Sequence, residues 1–353
     1  MWGGPGGFLA SWGLKWLDVN ASIPVMDATF QCYQQVWKVN MIRVYLTVDW
    51  YWQDNVTPSV EDPENYPYWN APISYQNYIE TVVSEAAKYG LYVDLCPYQL
   101  VSFYHDSNRG GAQGLPLSWW DNASTAFLSS TGLDEQTFWS RFWTLLATNL
   151  KDYPNVIYEA WNEPQLTGNE PIPQSYLTYL STMYKSVHSV TTQNLIFMQW
   201  NAGYIPYYND LSWCKQISQA IPNNANIVYT THAYRHSPSF NPQWETSTDG
   251  VFAQLKYALD SMQVKAPLLI NEVGSCMLYV SADDKQNELD WYSSLTSAAK
   301  TLGIGLTAYY WVSDDDLGPV YSGMALLSGI WVNGTASPAP NQVGQIFLNY
   351  STS

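Results

Sequence analysis

At 353 residues the chain is long for an ordinary domain but the usual size for one α/β barrel. Its 30 Asp and Glu against 14 Lys and Arg give a formal charge of −16, which argues against nucleic acid and anionic membranes as partners, since both reward a basic patch. Charged residues are 12% of the chain and apolar ones 46%, so a large core is available and solubility rests on uncharged polar groups.

Short β-prone runs alternate with helical periodicity from end to end. Residues 11–16 are a first strand candidate. Residues 27–39 read as a helix with Phe30, Tyr33 and Trp37 on one face, and 41–46 as a second strand. An amphipathic helix over 75–89 carries Ile79, Val82, Val83 and Ala86 and stops at Gly90. A third strand at 91–95 precedes a helix at 135–151 led by Phe138, Phe142, Leu145 and Leu146. The fourth strand, 155–161, is followed by a helix near 174–188, a fifth strand at 194–198 and a short helix after Leu211. A sixth strand at 227–231, a helix near 250–263, a seventh strand at 267–271 and a helix at 284–300 closed by Gly303 come next. An eighth strand at 304–310 and a helix near 341–349 end the chain. Eight strand–helix units with mostly short connections predict a single-domain (β/α)8 TIM barrel over 1–353. The two long connections, 50–74 and 97–134, are loaded with rings (Trp50, Trp52 and Trp69; Tyr98, Trp119 and Trp120) and predict walls of a groove on the catalytic face.

Aromatic residues reach 16%, with 18 Trp and 28 Tyr. Such rings serve either a large core or half-wet platforms on which sugars stack their C–H faces. Cys32, Cys96, Cys214 and Cys276 match no zinc spacing; they suit either two disulfides or free buried thiols. Asn-x-Ser/Thr sequons at Asn20, Asn55, Asn122, Asn333 and Asn349 hint at life outside the cell. No apolar run reaches membrane-spanning length, and the glycine-rich start lacks the basic and apolar regions of a signal peptide, so secretion requires a leader beyond this sequence.

Two stretches carry the chemistry. Asn155-Val156-Ile157-Tyr158-Glu159-Ala160-Trp161-Asn162-Glu163-Pro164 begins as a buried strand and ends on an Asn-Glu pair stopped by proline. Pro267-Leu268-Leu269-Ile270-Asn271-Glu272-Val273-Gly274 repeats the pattern three strands later. In a parallel barrel both glutamates reach the carboxyl-terminal rim, where a facing pair suits glycosidic cleavage with retention. Arg43 lies in an apolar strand and must have an acidic partner: Glu272, which it would keep ionised, or an acid elsewhere in the barrel. His232 and Tyr234, two apart at the end of strand six, point the same way, and Trp311 ends strand eight as a floor for the sugar. No metal is expected: His188 and His236 lack ligand spacing, and Asp314-Asp315-Asp316 lacks an ordered calcium pattern.

Together these residues resemble clan A glycoside hydrolases, most closely glycoside hydrolase family 5, the cellulase and mannanase family. The family pattern of Arg on strand two, Asn-Glu-Pro after four, His-x-Tyr after six, Glu after seven and Trp after eight is matched by Arg43, Asn162-Glu163-Pro164, His232 with Tyr234, Glu272 and Trp311. The resemblance implies Glu163 as acid/base, Glu272 as nucleophile and Asn162 as donor to the sugar 2-hydroxyl. It departs after strand three, where the family's usual His is replaced in Asp94-Leu95-Cys96-Pro97-Tyr98; His105, Tyr98 or Gln99 are the candidates to fill that place. The expectation is a secreted, monomeric, cofactor-independent retaining endo-β-1,4-glucanase whose partner is a β-linked polysaccharide. The alternatives are a mannanase of the same mechanism and a polysaccharide-binding barrel without catalysis.

Overall fold

The computed structural model describes residues 19–54, 75–99, 131–165, 171–201, 210–221, 225–235, 247–275, 285–309, 340 and 342–352. The strand expected at 11–16, most of the two long connections, His105, Cys276 and Trp311 lie outside them. The described elements are α1 (Val19–Gln35), β1 (Met41–Thr47), α2 (Val48–Gln53), α3 (Tyr75–Lys88), β2 (Tyr92–Gln99), α4 (Glu135–Leu150), β3 (Val156–Glu159) and α5 (Gln174–His188). They continue as β4 (Leu195–Met198), α6 (Trp213–Ala220), β5 (Ile227–Arg235), α7 (Thr248–Ser261), β6 (Leu268–Ser275), α8 (Lys285–Leu302), β7 (Gly305–Ala308) and α9 (Gln342–Thr352).

Seven parallel strands stand side by side in chain order, β1 to β7. These are the second to eighth strands of the expected eight. In a flat sheet β1 and β6 would lie about 24 Å apart, at about 4.8 Å per step. Instead Arg43 on β1 touches Glu272 on β6, so the sheet curls on itself. The architecture is a (β/α)8 barrel.

Strand alternation divides two interiors. Ile42, Val44, Leu46, Val93, Leu95, Val156 and Tyr158 join the apolar core under the helices. Arg43, Tyr45, Asp94, Cys96 and Glu159, at the intervening positions, are buried inside the barrel. Much of the aromatic excess is core: Trp37, Trp139, Trp143, Trp161, Trp200 and Trp291 are fully buried. Trp139 on α4 packs edge-on against Trp161, centroids 5.8 Å apart, and against Tyr179 on α5 at 4.9 Å. The Tyr179 hydroxyl donates to the Ala160 carbonyl at 2.5 Å, so two helices brace the chain just before Asn162. Cys32, Cys96 and Cys214 are buried free thiols, the second of the two arrangements open from sequence.

Several boundaries differ from expectation. α1 runs 19–35 rather than 27–39, with Pro24 inside it. Beyond it Trp37 N–H reaches five residues back to the Cys32 carbonyl at 3.2 Å and Val39 N–H six back to the Tyr33 carbonyl at 3.0 Å, with Lys38 between them at a left-handed φ of 51°, so the chain leaves the helix in a widened last turn. β2, β5 and β6 each extend four residues beyond the expected ends, β2 to Gln99 within the connection expected from 97, and β5 and β6 stay paired to Arg235 and Ser275. No helix among the described residues is long and apolar enough to cross a membrane.

Candidate active site

The carboxyl-terminal rim gathers Arg43, Asn162, Glu163, His232, Tyr234 and Glu272, all buried. Glu163 follows β3 with a left-handed φ of 48°, a conformation that costs a side-chain-bearing residue about 1 kcal/mol or more. Gln199, just past β4, fixes it there by accepting the Glu163 backbone N–H at 2.7 Å.

Glu272 lies within β6 rather than beyond it. Opposite β5 the register steps from Thr231↔Ile270 to His232↔Glu272, leaving Asn271 as an extra residue. Opposite β7 the same stretch again carries one residue too many, Asn271 and Glu272 facing Thr307 alone between Ile270↔Leu306 and Val273↔Ala308. A bulge of this kind breaks the strict alternation of a strand. Consecutive side chains therefore both turn inward: Asn271 Nδ2 donates to Glu159 Oε1 at 2.7 Å, and Glu272 meets Arg43, Tyr45 and Tyr234.

Glu272 is held by four groups. Arg43 Nη1 donates to Oε1, as does the Tyr45 hydroxyl at 2.7 Å; the Tyr234 hydroxyl donates to Oε2 at 2.5 Å. His232 Nδ1 stands 3.4 Å from Oε2 and 2.7 Å from Glu163 Oε1. Burial alone would raise the Glu272 carboxyl. The charges of His232 and Arg43, with the Tyr234 and Tyr45 hydroxyls, outweigh it and hold the group below its ordinary range.

Arg43 has a second acid that the sequence reading did not single out. Its Nε donates to Glu159 Oε2 at 2.6 Å and its Nη2 to Glu159 Oε1 at 2.8 Å, a two-pronged pair from which Nη1 is left for Glu272. Nη2 also meets Asn162 Oδ1 at 2.9 Å and the Cys96 sulfur at 3.2 Å. Cys96 thus occupies the strand-three position beside Arg43. Asn162 Oδ1 accepts from Tyr45 as well, at 3.2 Å, which fixes the amide and leaves Nδ2 without a partner among the described residues. Tyr45 and Glu159 were legible only as same-face neighbours, two residues from Arg43 and four from Glu163.

One oxygen of each of Glu163 and Glu272 and a ring nitrogen of His232 lie within 4.8 Å of one another. That spacing would admit a cation, but Arg43 already supplies a positive charge against Glu272, so the trio is arranged for acid–base work.

The profile of the family described as Cellulase (glycosyl hydrolase family 5) matches residues 15–315. No curated protein sequence matches the chain. Among solved structures, a family 5 xyloglucanase from Paenibacillus pabuli is 19% identical, with 94% of this chain and 89% of that one covered and a TM-score of 0.56. The catalytic domain of the major endoglucanase of Xanthomonas campestris pv. campestris is 16% identical over 92% of this chain and 87% of that one, TM-score 0.60. Cel5A of Thermotoga maritima in complex with mannotriose is 15% identical over 92% and 89%, TM-score 0.55.

Proposed function

The chain belongs to glycosyl hydrolase family 5, the cellulase family, and on that premise we propose that it is a retaining endo-β-1,4-glucanase. The carrying observation is the approach of the two carboxylates. One oxygen of each lies within 4.8 Å of the other and of His232. Retaining enzymes hold their carboxyls about 5–5.5 Å apart, whereas inverting ones leave about 6.5–9.5 Å for a water.

In this reading Glu272, kept ionised by its setting, attacks the anomeric carbon. Glu163 gives its proton to the glycosidic oxygen, the C–O bond breaks and the alcohol leaves, with the sugar now esterified to Glu272. Glu163 then takes a proton from water, whose oxygen attacks the same carbon and releases Glu272. Asn162 Nδ2, oriented by Arg43 and Tyr45, is the donor for the sugar 2-hydroxyl, and the Tyr234 hydroxyl steadies the nucleophile. His105 and Trp311 are assigned to sugar contacts by the resemblance alone.

The substrate is a linear β-1,4-glucan. A polymer cannot pass a membrane, so the enzyme works outside the cell, and we assign it as a monomer. Large exposed apolar side chains among the described residues are scattered, Val36, Tyr92 and Tyr257. Mannan is the second reading, favoured by the mannotriose held by the Thermotoga maritima relative. The test is reducing-end release from carboxymethyl-cellulose, β-mannan, xylan and laminarin by wild type and Glu272→Gln. The expected result is release from the cellulose derivative, lost in the variant. Release from mannan alone changes the substrate and keeps the mechanism. No release from any polymer, with oligosaccharide binding intact, overturns the assignment.

A further inference from the structure

Arg43 is surrounded by more acid than it can neutralise. Glu159 holds its Nε and Nη2, Glu272 meets Nη1, and Asp94 on β2 places Oδ2 3.5 Å from Nε. None of these side chains is more than 2% exposed. Three ionised carboxylates about one guanidinium would leave negative charge uncompensated in a dry interior even with the charge of His232 set against Glu272, and an unpaired buried charge is costly.

The hydrogen bonds show where the excess charge is relieved. Glu159 accepts from three donors: Nε and Nη2 of Arg43 and Nδ2 of Asn271. Among the described residues no donor reaches either oxygen of Asp94. Beside it stands the Glu159 carboxyl: the same Arg43 Nε lies 3.5 Å from Asp94 Oδ2 and 2.6 Å from Glu159 Oε2. Ionised carboxylates only accept, so two of them crowded onto one guanidinium nitrogen can hydrogen-bond each other only with a proton between them.

We propose that Asp94 and Glu159 share one proton in the working enzyme, forming a single-charge acid pair that limits how much of Arg43's charge reaches Glu272. Asp94, without a donor, is the protonated half and donates to Glu159. Burial, and then the charge of Glu159, push the Asp94 carboxyl well above its usual range against the opposing pull of Arg43. The other titratable groups facing the pair are Tyr45 from β1, Cys96 from β2, whose thiol burial keeps neutral, and Glu272 from β6, itself in contact with His232 from β5. Asn271 adds a neutral donor.

The inference rests on Glu272 being the nucleophile, so one readout is kept independent of turnover. The first measurement is the acidic limb of kcat/KM against pH, with an aryl β-cellobioside, in Asp94→Asn and in the double variant Asp94→Asn/Glu159→Gln. A protonated Asp94 is replaced charge for charge by Asn, so the limb is expected to stay at its wild-type pH. The double variant removes the shared charge, frees Arg43 for Glu272 and moves the limb to lower pH by about 1 unit. A limb that already falls in Asp94→Asn means that Asp94 was ionised and overturns the proposal, as does a double variant with no shift. The second measurement is the infrared difference spectrum of wild type minus Asp94→Asn at neutral pH, expected to show one protonated-carboxyl C=O band over those that Glu163 and Glu135 leave in both proteins. If Asp94→Asn does not fold, Glu159→Gln serves: with Glu159 gone, Asp94 ionises against Arg43 and the same band is lost. Difference spectra that show no such band for either substitution overturn the proton whether or not the protein cleaves any glycan.

Discussion

Tyr45 shows how a residue can matter at the site and be silent in the sequence. Within Met41–Leu46 it reads as one more bulky strand residue, whereas Arg43 announces itself, because a guanidinium in an apolar run demands an acid. The structure turns both into the barrel, where the Tyr45 hydroxyl bonds Glu272 at 2.7 Å and its ring lies 5.1 Å from the Arg43 guanidinium carbon. Glu159 was hidden for a similar reason: in a strand that ends on Asn-Glu, the earlier glutamate is overshadowed by the later one. Tyr45→Phe keeps the ring over Arg43 and deletes a donor to the ionised form of Glu272. A charge-assisted hydrogen bond contributes about 1.5–3 kcal/mol, so the acidic limb of kcat/KM should rise by about 1 pH unit. The sign is fixed, because losing a bond to the carboxylate raises its pKa. An unmoved limb would remove Tyr45 from the set that controls the nucleophile.

At the scale of elements, the sequence located every strand of the described sheet and misjudged where β2 ends, at Gln99 rather than 95, and where β5 and β6 end. Both were read only as far as the apolar run. Beyond those ends the inward positions are polar, His232 and Tyr234 on β5 and Glu272 on β6, and apolar alternation no longer reports a strand that the ladder itself continues. The bulge at Asn271 was equally hidden, since an extra residue is defined only against its partner strands. Past the bulge, Gly274 lies opposite Tyr234, and a Cβ there would sit 2.5 Å from Tyr234 Cε1 and 2.9 Å from Cδ1. The ring, not the backbone, would have to give way, and with it the hydroxyl at Glu272. Gly274→Ala should therefore lower kcat/KM by about 10²-fold, the usual penalty for a catalytic group displaced by about 1 Å. Combined with Tyr234→Phe the loss should be far from additive, because both changes remove the same contact. Additive losses, or a crystal structure of Gly274→Ala with Tyr234 undisplaced, would refute this account.

For the whole molecule, charge and buried acids set opposite edges to the pH range of stability. Composition showed the acidic excess but not which acids are buried, because that depends on packing between elements distant in sequence. Glu272 has a folded-state pKa below its unfolded value of about 4.3. Its contribution is present above that value and lost as pH falls through the lowered one. Glu135, half-buried in the first turn of α4, behaves the other way. Burial pushes it up to about 7, with the neighbouring Trp139 indole opposing and the charge of Asp134 adding. Its contribution is complete below the unfolded pKa and is lost as pH rises through about 7. Buried Asp94 acts in the same direction, and self-repulsion from a net charge of −16 at pH 7 grows over the same interval. The thermal midpoint should therefore peak in mildly acidic solution and decline toward neutrality. Glu135→Gln, which cannot ionise, should flatten that decline between the unfolded value and about 7 while leaving the acid side unchanged, because the acid side belongs to groups such as Glu272. Melting curves across this range decide it: parallel wild-type and variant profiles would show that Glu135 does not titrate on folding and that the neutral edge comes from Asp94 and net repulsion instead.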